Sequence, residues 1–146
     1  MKRHRSRGQS LVEFALVLPV FLLILMGIVD FGMAVYKFNG VSQAAREIAR
    51  VTSVHPCAGP TPCTPGSSAE TATVINIQKG LIPGLTLPPN AIQCVDNADQ
   101  PVAPNPCDFS KDSVQVTVTA PYRPMTPILG SLVTWTMKGT SSAQLQ

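Results

Sequence analysis

Four cysteines are the residues of this sequence whose chemistry is easiest to anticipate. Cys57, Cys63, Cys94 and Cys107 all lie in the second part of the chain, and none precedes them. An even number of cysteines confined to a small exported region favours disulfide bonds. We favour the pairs Cys57–Cys63 and Cys94–Cys107, since each closes a local proline-rich loop, but crossed pairings stay open.

The sequence gives little support for metal binding or catalysis. The gaps between the cysteines hold five and twelve residues, whereas zinc sites favour tighter C-x2-4-C pairs. His55 and Cys57 are two residues apart in a proline-rich loop, which is poor geometry for a catalytic dyad. Ser67-Ser68 fits a helix cap better than a nucleophile. Four scattered loop acids do not form a calcium-loop pattern (Asp96, Asp99, Asp108 and Asp112). We therefore expect no enzyme, no cofactor and no metal.

The element that dominates the sequence is an apolar run from Leu11 to Phe38. Its central part, from Phe14 to Val29, carries no charge, and Glu13 and Asp30 flank it. A helix needs about 20 largely apolar residues to cross a bilayer. We therefore predict a transmembrane helix over residues 9–37, with Asp30 near one interface and Glu13 just inside the other.

Charge predicts the orientation of this helix. Lys2, Arg3, Arg5 and Arg7 precede it, which favours a cytoplasmic N-terminus and an exported remainder. Without residues 1–8 the chain has seven basic and eight acidic residues, so the net charge of +3 does not indicate nucleic-acid binding.

The helix should continue beyond the membrane. Ala45, Ile48, Ala49 and Thr52 recur at three- and four-residue spacing, which predicts an amphipathic exported segment over residues 38–55. Pro56 ends the pattern. Within the apolar part, Pro19 removes one backbone hydrogen bond and should bend or locally melt the helix.

The start of the apolar run carries a distinctive spacing. A basic leader is followed by Gly8 and then, five residues on, by Glu13 at the head of the apolar helix. No small-residue cleavage site of the ordinary secretory kind follows the helix. Glycine lets an extended backbone enter a protease cleft without side-chain conflict, so Gly8 is a candidate processing site on the cytoplasmic side.

This spacing is the prepilin pattern. The run GQSLVEFALVLPVFLLILMGIVDFG, followed by QAAREIAR, resembles the TadE-like family of pilin-like proteins of the tight-adherence (Tad/Flp) pilus system. The resemblance covers about Gly8 to Val51. It implies cleavage after Gly8 by a prepilin peptidase, so that Gln9 becomes the first residue. It also implies that Glu13 meets the new α-amino group of Gln9 on a neighbouring subunit.

The rest of the chain predicts a small α+β head over residues 56–146. A helix is expected from about Ser68 to Lys79, ending at Gly80; the alternation at Val74, Ile75 and Ile77 leaves a strand as the alternative there. Strands are expected near 91–95, over Ser113–Ala120, where Pro121 should end the strand, and over Leu132–Lys138. The last residues, Thr140 to Gln146, look frayed.

Together these features predict an α+β protein with a leader (1–8), a transmembrane helix (9–37), its exported continuation (38–55) and a disulfide-bonded head (56–146). The resemblance implies a minor pilin-like component of a bacterial inner membrane. Its expected partners are a prepilin peptidase, other pilin-like subunits, the inner-membrane assembly machinery and the lipid bilayer. The alternative is an uncleaved, membrane-tethered binding module. Only the pilin-like interpretation requires both Gly8 and Glu13.

Overall fold

The protein is a long helix with a small sheet packed on its second half. The computed structural model describes residues 7–57, 64–96, 98–102, 112–126 and 134–145, without the side chain of Arg7. In this part the elements are helices α1 (Arg7–Val54) and α2 (Ala69–Leu81) and strands β1 (Ile92–Val95), β2 (Ser113–Tyr122) and β3 (Trp135–Gln144). The strands form an antiparallel sheet in the order β1-β2-β3. The predicted α+β class is confirmed.

Helix α1 is continuous over 48 residues and passes through Pro19 without interruption. Of the two predicted effects of Pro19, local melting is not observed, and a bend stays a prediction. Proline removes only its own N–H donor and crowds the preceding turn. Long apolar helices accommodate this loss by small local adjustments.

The core lies between the second half of α1 and the inner face of the sheet. The predicted stripe is confirmed, because Ala45, Ile48, Ala49 and Thr52 have no exposed surface. The small alanines allow the sheet to come close to the helix, and the alternating residues of β2 fill the space opposite (Val114, Val116, Val118 and Ala120). Arg46 and Arg50 lie on the solvated side, as predicted.

The helix and the sheet come very close together at Gly139 of β3. A Cβ atom there would lie 2.7 Å from the carbonyl oxygen of Val41, well inside van der Waals contact. Gly139 is the residue that pairs with Val118 in the register of β2 and β3. A side chain at this position would push the sheet away from α1.

Helix α2 is fixed to the far end of α1. Its N-cap is Ser68, one residue after the serine that the predicted capping box would use, and the Ser68 hydroxyl accepts a hydrogen bond from the Thr71 N–H at 3.1 Å. The Thr71 and Thr52 hydroxyls are 3.2 Å apart and buried. The predicted end at Gly80 is wrong: Gly80 lies inside the helix, and the N–H of the C-cap residue Ile82 still donates to the carbonyl of Gln78.

Strand β2 is longer than predicted because Pro121 does not end it. Strand β1 pairs only with Ser113–Val116, and the segment before it covers the next part of the same edge, where the N–H groups of Thr117 and Thr119 donate to the carbonyls of Ala91 and Thr86. The nitrogen of Pro121 follows the same alternation and lies past the bridge between Thr86 and Thr119. A proline is tolerated where its missing donor would face an open edge.

The C-terminal segment is ordered, so the prediction of a frayed end is wrong. Residues 140–144 belong to β3 and pair with 113–117 of β2. Leu145 is buried in the core. The predicted strand over Leu132–Lys138 is confirmed from Trp135 onward, and Leu132 and Val133 lie outside the described residues.

Two glycine substitutions should have opposite effects on stability. Gly139→Ala should lower the free energy of unfolding by about 1–3 kcal/mol through overpacking against α1. Gly80→Ala should raise it by about 0.5–1 kcal/mol, because alanine is the better helix former and nothing lies within 4 Å of its Cβ. Denaturant titration followed by Trp135 fluorescence measures both. Equal effects would contradict the close approach at Gly139.

Candidate functional site: the apolar half of α1 and its junction with the head

The first half of α1 presents apolar side chains in all directions. Nearly every large residue from Leu11 to Phe38 is exposed. A helix that is apolar all round is stable only when something else covers it, either lipid or protein. Within the described residues, this is the one helix long and apolar enough to cross a membrane. The chain is therefore compatible with a single-pass membrane protein.

The N-terminal end of this helix contains the predicted processing and assembly residues. Gly8 lies in the first turn of α1, is exposed, and has no atom within 4 Å of a Cβ built on it. The first turn of a helix frays easily because its N–H groups have no intrahelical partners. Gly8 is thus accessible but helical, so an enzyme that needs an extended strand would have to open one turn.

Glu13 lies one to two turns further along and is exposed among apolar neighbours, as are Gln9, Phe14 and Pro19. No ion pair or hydrogen bond connects Glu13 to another described residue. In the single chain its carboxylate is therefore available. The roles predicted for Gly8, Gln9 and Glu13 stay predictions.

Asp30 is in a different situation, because the head folds back onto it. Its carboxylate accepts hydrogen bonds from the Met125 N–H at 2.8 Å, the Thr126 N–H at 3.1 Å and the Thr126 hydroxyl at 2.7 Å. Only 8% of its surface is exposed. A carboxylate that receives this many donors is well solvated by the protein itself.

Two further hydrogen bonds connect the same parts of α1 and the head. The Tyr122 hydroxyl donates to the backbone carbonyl of Asp30 at 2.7 Å. The Lys37 ammonium group donates to the carbonyl of Pro121 at 2.7 Å. We call Asp30, Lys37 and the segment Pro121–Thr126 the Asp30 junction. It connects residues more than eighty positions apart and fixes where the head begins along the helix.

Burial, and then the negative charge of Asp30, raise the pKa of Tyr122. The phenol therefore remains protonated and keeps its role as a donor at every pH near neutrality. At the other side of the core, the Arg50 guanidinium lowers the pKa of Glu47 through a hydrogen bond of 2.7 Å. This exposed pair contributes little to stability.

The Asp30 junction was not predicted. The sequence placed Asp30 at a membrane interface, but it gave no sign that a segment 95 residues later would bind the carboxylate. The only local signal is that an isolated aspartate in an apolar run requires some compensating partner. Identifying Thr126 as that partner requires the register between α1 and β2.

Two of the cysteines, Cys57 and Cys94, lie at the other end of the head. Cys57 and Cys94 are disulfide-bonded, and no free cysteine occurs in the described residues. Cys63 and Cys107 lie outside the described residues, so the pairing stays a prediction. Because Cys57 is not a thiol, a His55–Cys57 dyad cannot form.

The described residues contain no group of three or more His, Cys, Asp or Glu side chains that could hold a metal ion. Ser68 caps α2 through its hydroxyl. Asp96 caps its own loop, accepting from the N–H groups of Ala98 and Gln100. Asp108 lies outside the described residues.

Comparison with known proteins adds one finding. A family model described as "TadE-like protein" matches residues 8–50. The match covers the apolar half of α1 and most of the stripe that carries the core, and it ends before the head. No curated protein and no solved structure matches the chain.

The Asp30 junction predicts a specific change in hydrogen exchange. Asp30→Ala should accelerate exchange at the Met125 and Thr126 amides, because both lose their acceptor, while β2 amides near Val116 stay protected. Asp30→Asn should have an intermediate effect, since one acceptor oxygen remains. Hydrogen exchange followed by mass spectrometry measures this. Asp96→Ala, which also removes a carboxylate bonded to two backbone amides, is the control and should leave Met125 and Thr126 unchanged.

The disulfide pairing predicts a simple peptide map. Trypsin cleaves after Arg50, Lys79 and Lys111, so Cys57 and Cys63 share one peptide (51–79), and Cys94 and Cys107 share the next (80–111). With the favoured pairs, a non-reduced digest contains these two peptides separately, each 2 Da lighter than its reduced form (about 1 Da for each hydrogen lost on forming the bond). Either crossed pairing would instead give one linked species of their combined mass.

Proposed function

Because the N-terminal segment of this chain, residues 8–50, belongs to the TadE-like family, a family associated with Tad pili, we propose that the protein is a minor pilin-like component of a Tad/Flp-type pilus or secretion assembly. It is anchored in the bacterial inner membrane, trimmed after Gly8 by a prepilin peptidase, and assembled through the apolar half of α1. The observation that carries the proposal is this uncovered apolar surface with Gly8 and Glu13 at its N-terminal end.

The membrane step follows from length and charge. Leu11–Asp30 is twenty residues, and at 1.5 Å per residue it spans the roughly 30 Å hydrocarbon core. The basic residues before Gly8 favour a cytoplasmic N-terminus. The head, which begins at the level of Asp30, is then on the exported side. This orientation also agrees with an oxidising environment for Cys57 and Cys94.

The processing step uses the exposure of Gly8. A peptidase acting at the cytoplasmic face would meet a residue in the first helical turn, where opening costs least. Cleavage leaves the apolar helix in the product, so the trimmed protein stays anchored. It also creates a new positive charge at Gln9, four residues before Glu13.

The assembly step explains Glu13. In the bilayer this carboxylate is close to an edge, where the cost of insertion is moderate. In a bundle of packed helices it would be buried, and a buried carboxylate needs a partner. The α-amino group of Gln9 on a neighbouring subunit is the partner that cleavage supplies. Self-association and positioning are then the whole mechanism.

The size of the head supports a minor rather than a bulk role. The segment that resembles pilins ends near Arg50, and a folded α+β head follows it. The bulk subunits of such pili resemble short, almost entirely helical chains, often with Glu-Tyr where this chain has Glu13-Phe14. A head of this size on every subunit would crowd the surface of a thin filament.

The test is the N-terminal residue and intact mass of the protein, expressed with its native membrane machinery. Wild type should begin at Gln9, and Gly8→Ala should keep residues 1–8. Gly27→Ala is the matched control, because it changes a glycine of the same helix and should be processed normally. Glu13→Gln, in the same series, should be trimmed but excluded from the assembled fraction, whereas Glu70→Gln on the exposed face of α2 should assemble.

Other results would favour other functions. If wild type keeps residues 1–8, the uncleaved membrane-tethered binding module becomes the better account. If the chain begins well beyond Asp30, the apolar run is an ordinary secretion signal and both accounts fail.

A further inference from the structure

One end of the head lies against the apolar half of α1. Tyr122 ends β2, Trp135 begins β3, and the two are directly opposite in the sheet register. Tyr122 reaches Asp30, whereas Gly139 reaches Val41, eleven residues further along α1. The sheet therefore runs along the helix, with its Tyr122–Trp135 end towards the proposed membrane and its Gln144 end away from it.

Met125 extends beyond this end of the sheet. Its side chain is 69% exposed and lines an apolar groove with Leu22, Leu25, Met26 and Val29 of α1. Leu22 precedes Asp30 by eight residues, or about 12 Å along the helix axis. The groove thus lies on the membrane side of Asp30, within the segment proposed to span the bilayer.

The backbone around Met125 is suited to an apolar environment. Irregular backbone inside a membrane is unfavourable because its N–H groups find no water. Here the Met125 and Thr126 N–H groups and the Thr126 hydroxyl all donate to the Asp30 carboxylate. The segment can therefore enter the bilayer without leaving these donors unpaired, and Asp30 has its charge compensated at the same time.

Residues typical of a membrane interface surround this segment. Trp135 and Tyr36 are exposed, at 54% and 80%. Arg123 is exposed next to Tyr122, and Lys37 binds the carbonyl of Pro121. Tryptophan, tyrosine and basic side chains are enriched at the headgroup level of membrane proteins.

We propose that the segment Tyr122–Thr126 is a second membrane contact of this chain, in which Met125 enters the acyl region of the exported-side leaflet and Trp135 and Arg123 lie among the headgroups. The partner is the phospholipid bilayer itself. The inference rests on the membrane span of the proposed function. It gives the head its own contact with the bilayer, in addition to the contact that α1 makes.

The apolar surface itself favours lipid, rather than a second copy of the chain, as the molecule that covers the Met125 groove. The groove of Met125 is continuous with the exposed surface of the spanning segment, which lipid must cover before any assembly takes place. The cations Lys37 and Arg123 lie on the head side of the groove, around a second cavity that Tyr36 and Tyr122 also line. In the proposed span this is the level at which phosphate groups of the same leaflet would lie.

The single tryptophan of the sequence allows a direct test. Two double variants each carry one tryptophan at a new position. In Met125→Trp with Trp135→Phe it is at Met125, and in Gln144→Trp with Trp135→Phe it is at the far end of β3. Each full-length variant is reconstituted at a low protein-to-lipid ratio in phospholipid vesicles with or without bromine on the acyl chains. Bromine quenches a tryptophan only by close contact.

We expect the Met125 reporter to lose fluorescence in brominated vesicles and the Gln144 reporter to be unaffected, because nine residues of β3 place Gln144 about 30 Å from Trp135. The natural Trp135 should be quenched more by bromine near the headgroups than by bromine deep in the acyl region. If the Met125 reporter is as insensitive as the Gln144 reporter in a chain that floats with the vesicles, the second contact is overturned while the span stands. A chain that fails to float overturns the span and this inference together.

Discussion

The compensation of the Asp30 charge is the interaction on which the rest of the structure depends. A carboxylate at the end of an apolar run is unfavourable in lipid and in a protein core unless donors surround it. Three donors from Met125 and Thr126 supply this, and the Tyr122 hydroxyl binds the carbonyl of the same residue. Because these donors follow β2 directly, satisfying Asp30 also sets the position of the sheet along α1.

From Asp30 onward, the sheet packs along α1 towards the C-terminal end of the helix. The even-numbered residues of β2 lie against the small residues of α1, and the helix and sheet come very close together at Gly139. The core therefore uses only the part of α1 beyond Asp30, and the segment before it has no cover. The family match spans both parts, which means that the matched segment supplies both the apolar anchor and one wall of the head's core.

The sequence could predict features that depend on neighbouring residues, but not features that depend on contacts between residues far apart in the chain. The helix, the stripe through Ile48, the Ser68 cap and the alternation in β2 are local patterns, and all were predictable. The continuation of β2 through Pro121 and the order of the segment after Thr140 depend on strand pairing, which a local pattern does not contain. The same difference holds for the candidate site. Gly8 and Glu13 are five residues apart, a local pattern that the sequence shows, whereas the partners of Asp30 come from a segment 95 residues away.

The two acidic residues that flank the uncharged run make the strongest argument about function. They are chemically similar, and both lie near an edge of the proposed span, but the head compensates only Asp30. Glu13 is exposed, and no other described residue bonds to it. A chain that folds back to satisfy one carboxylate could in principle have satisfied the other in the same way. Glu13 lies seventeen residues, or about 25 Å, before Asp30 on the helix axis, far from the described contacts of the head with Asp30. In the assembly that we propose, its partner would come from another molecule or from the N-terminus that processing creates, and this connects the proposed cleavage at Gly8 to assembly.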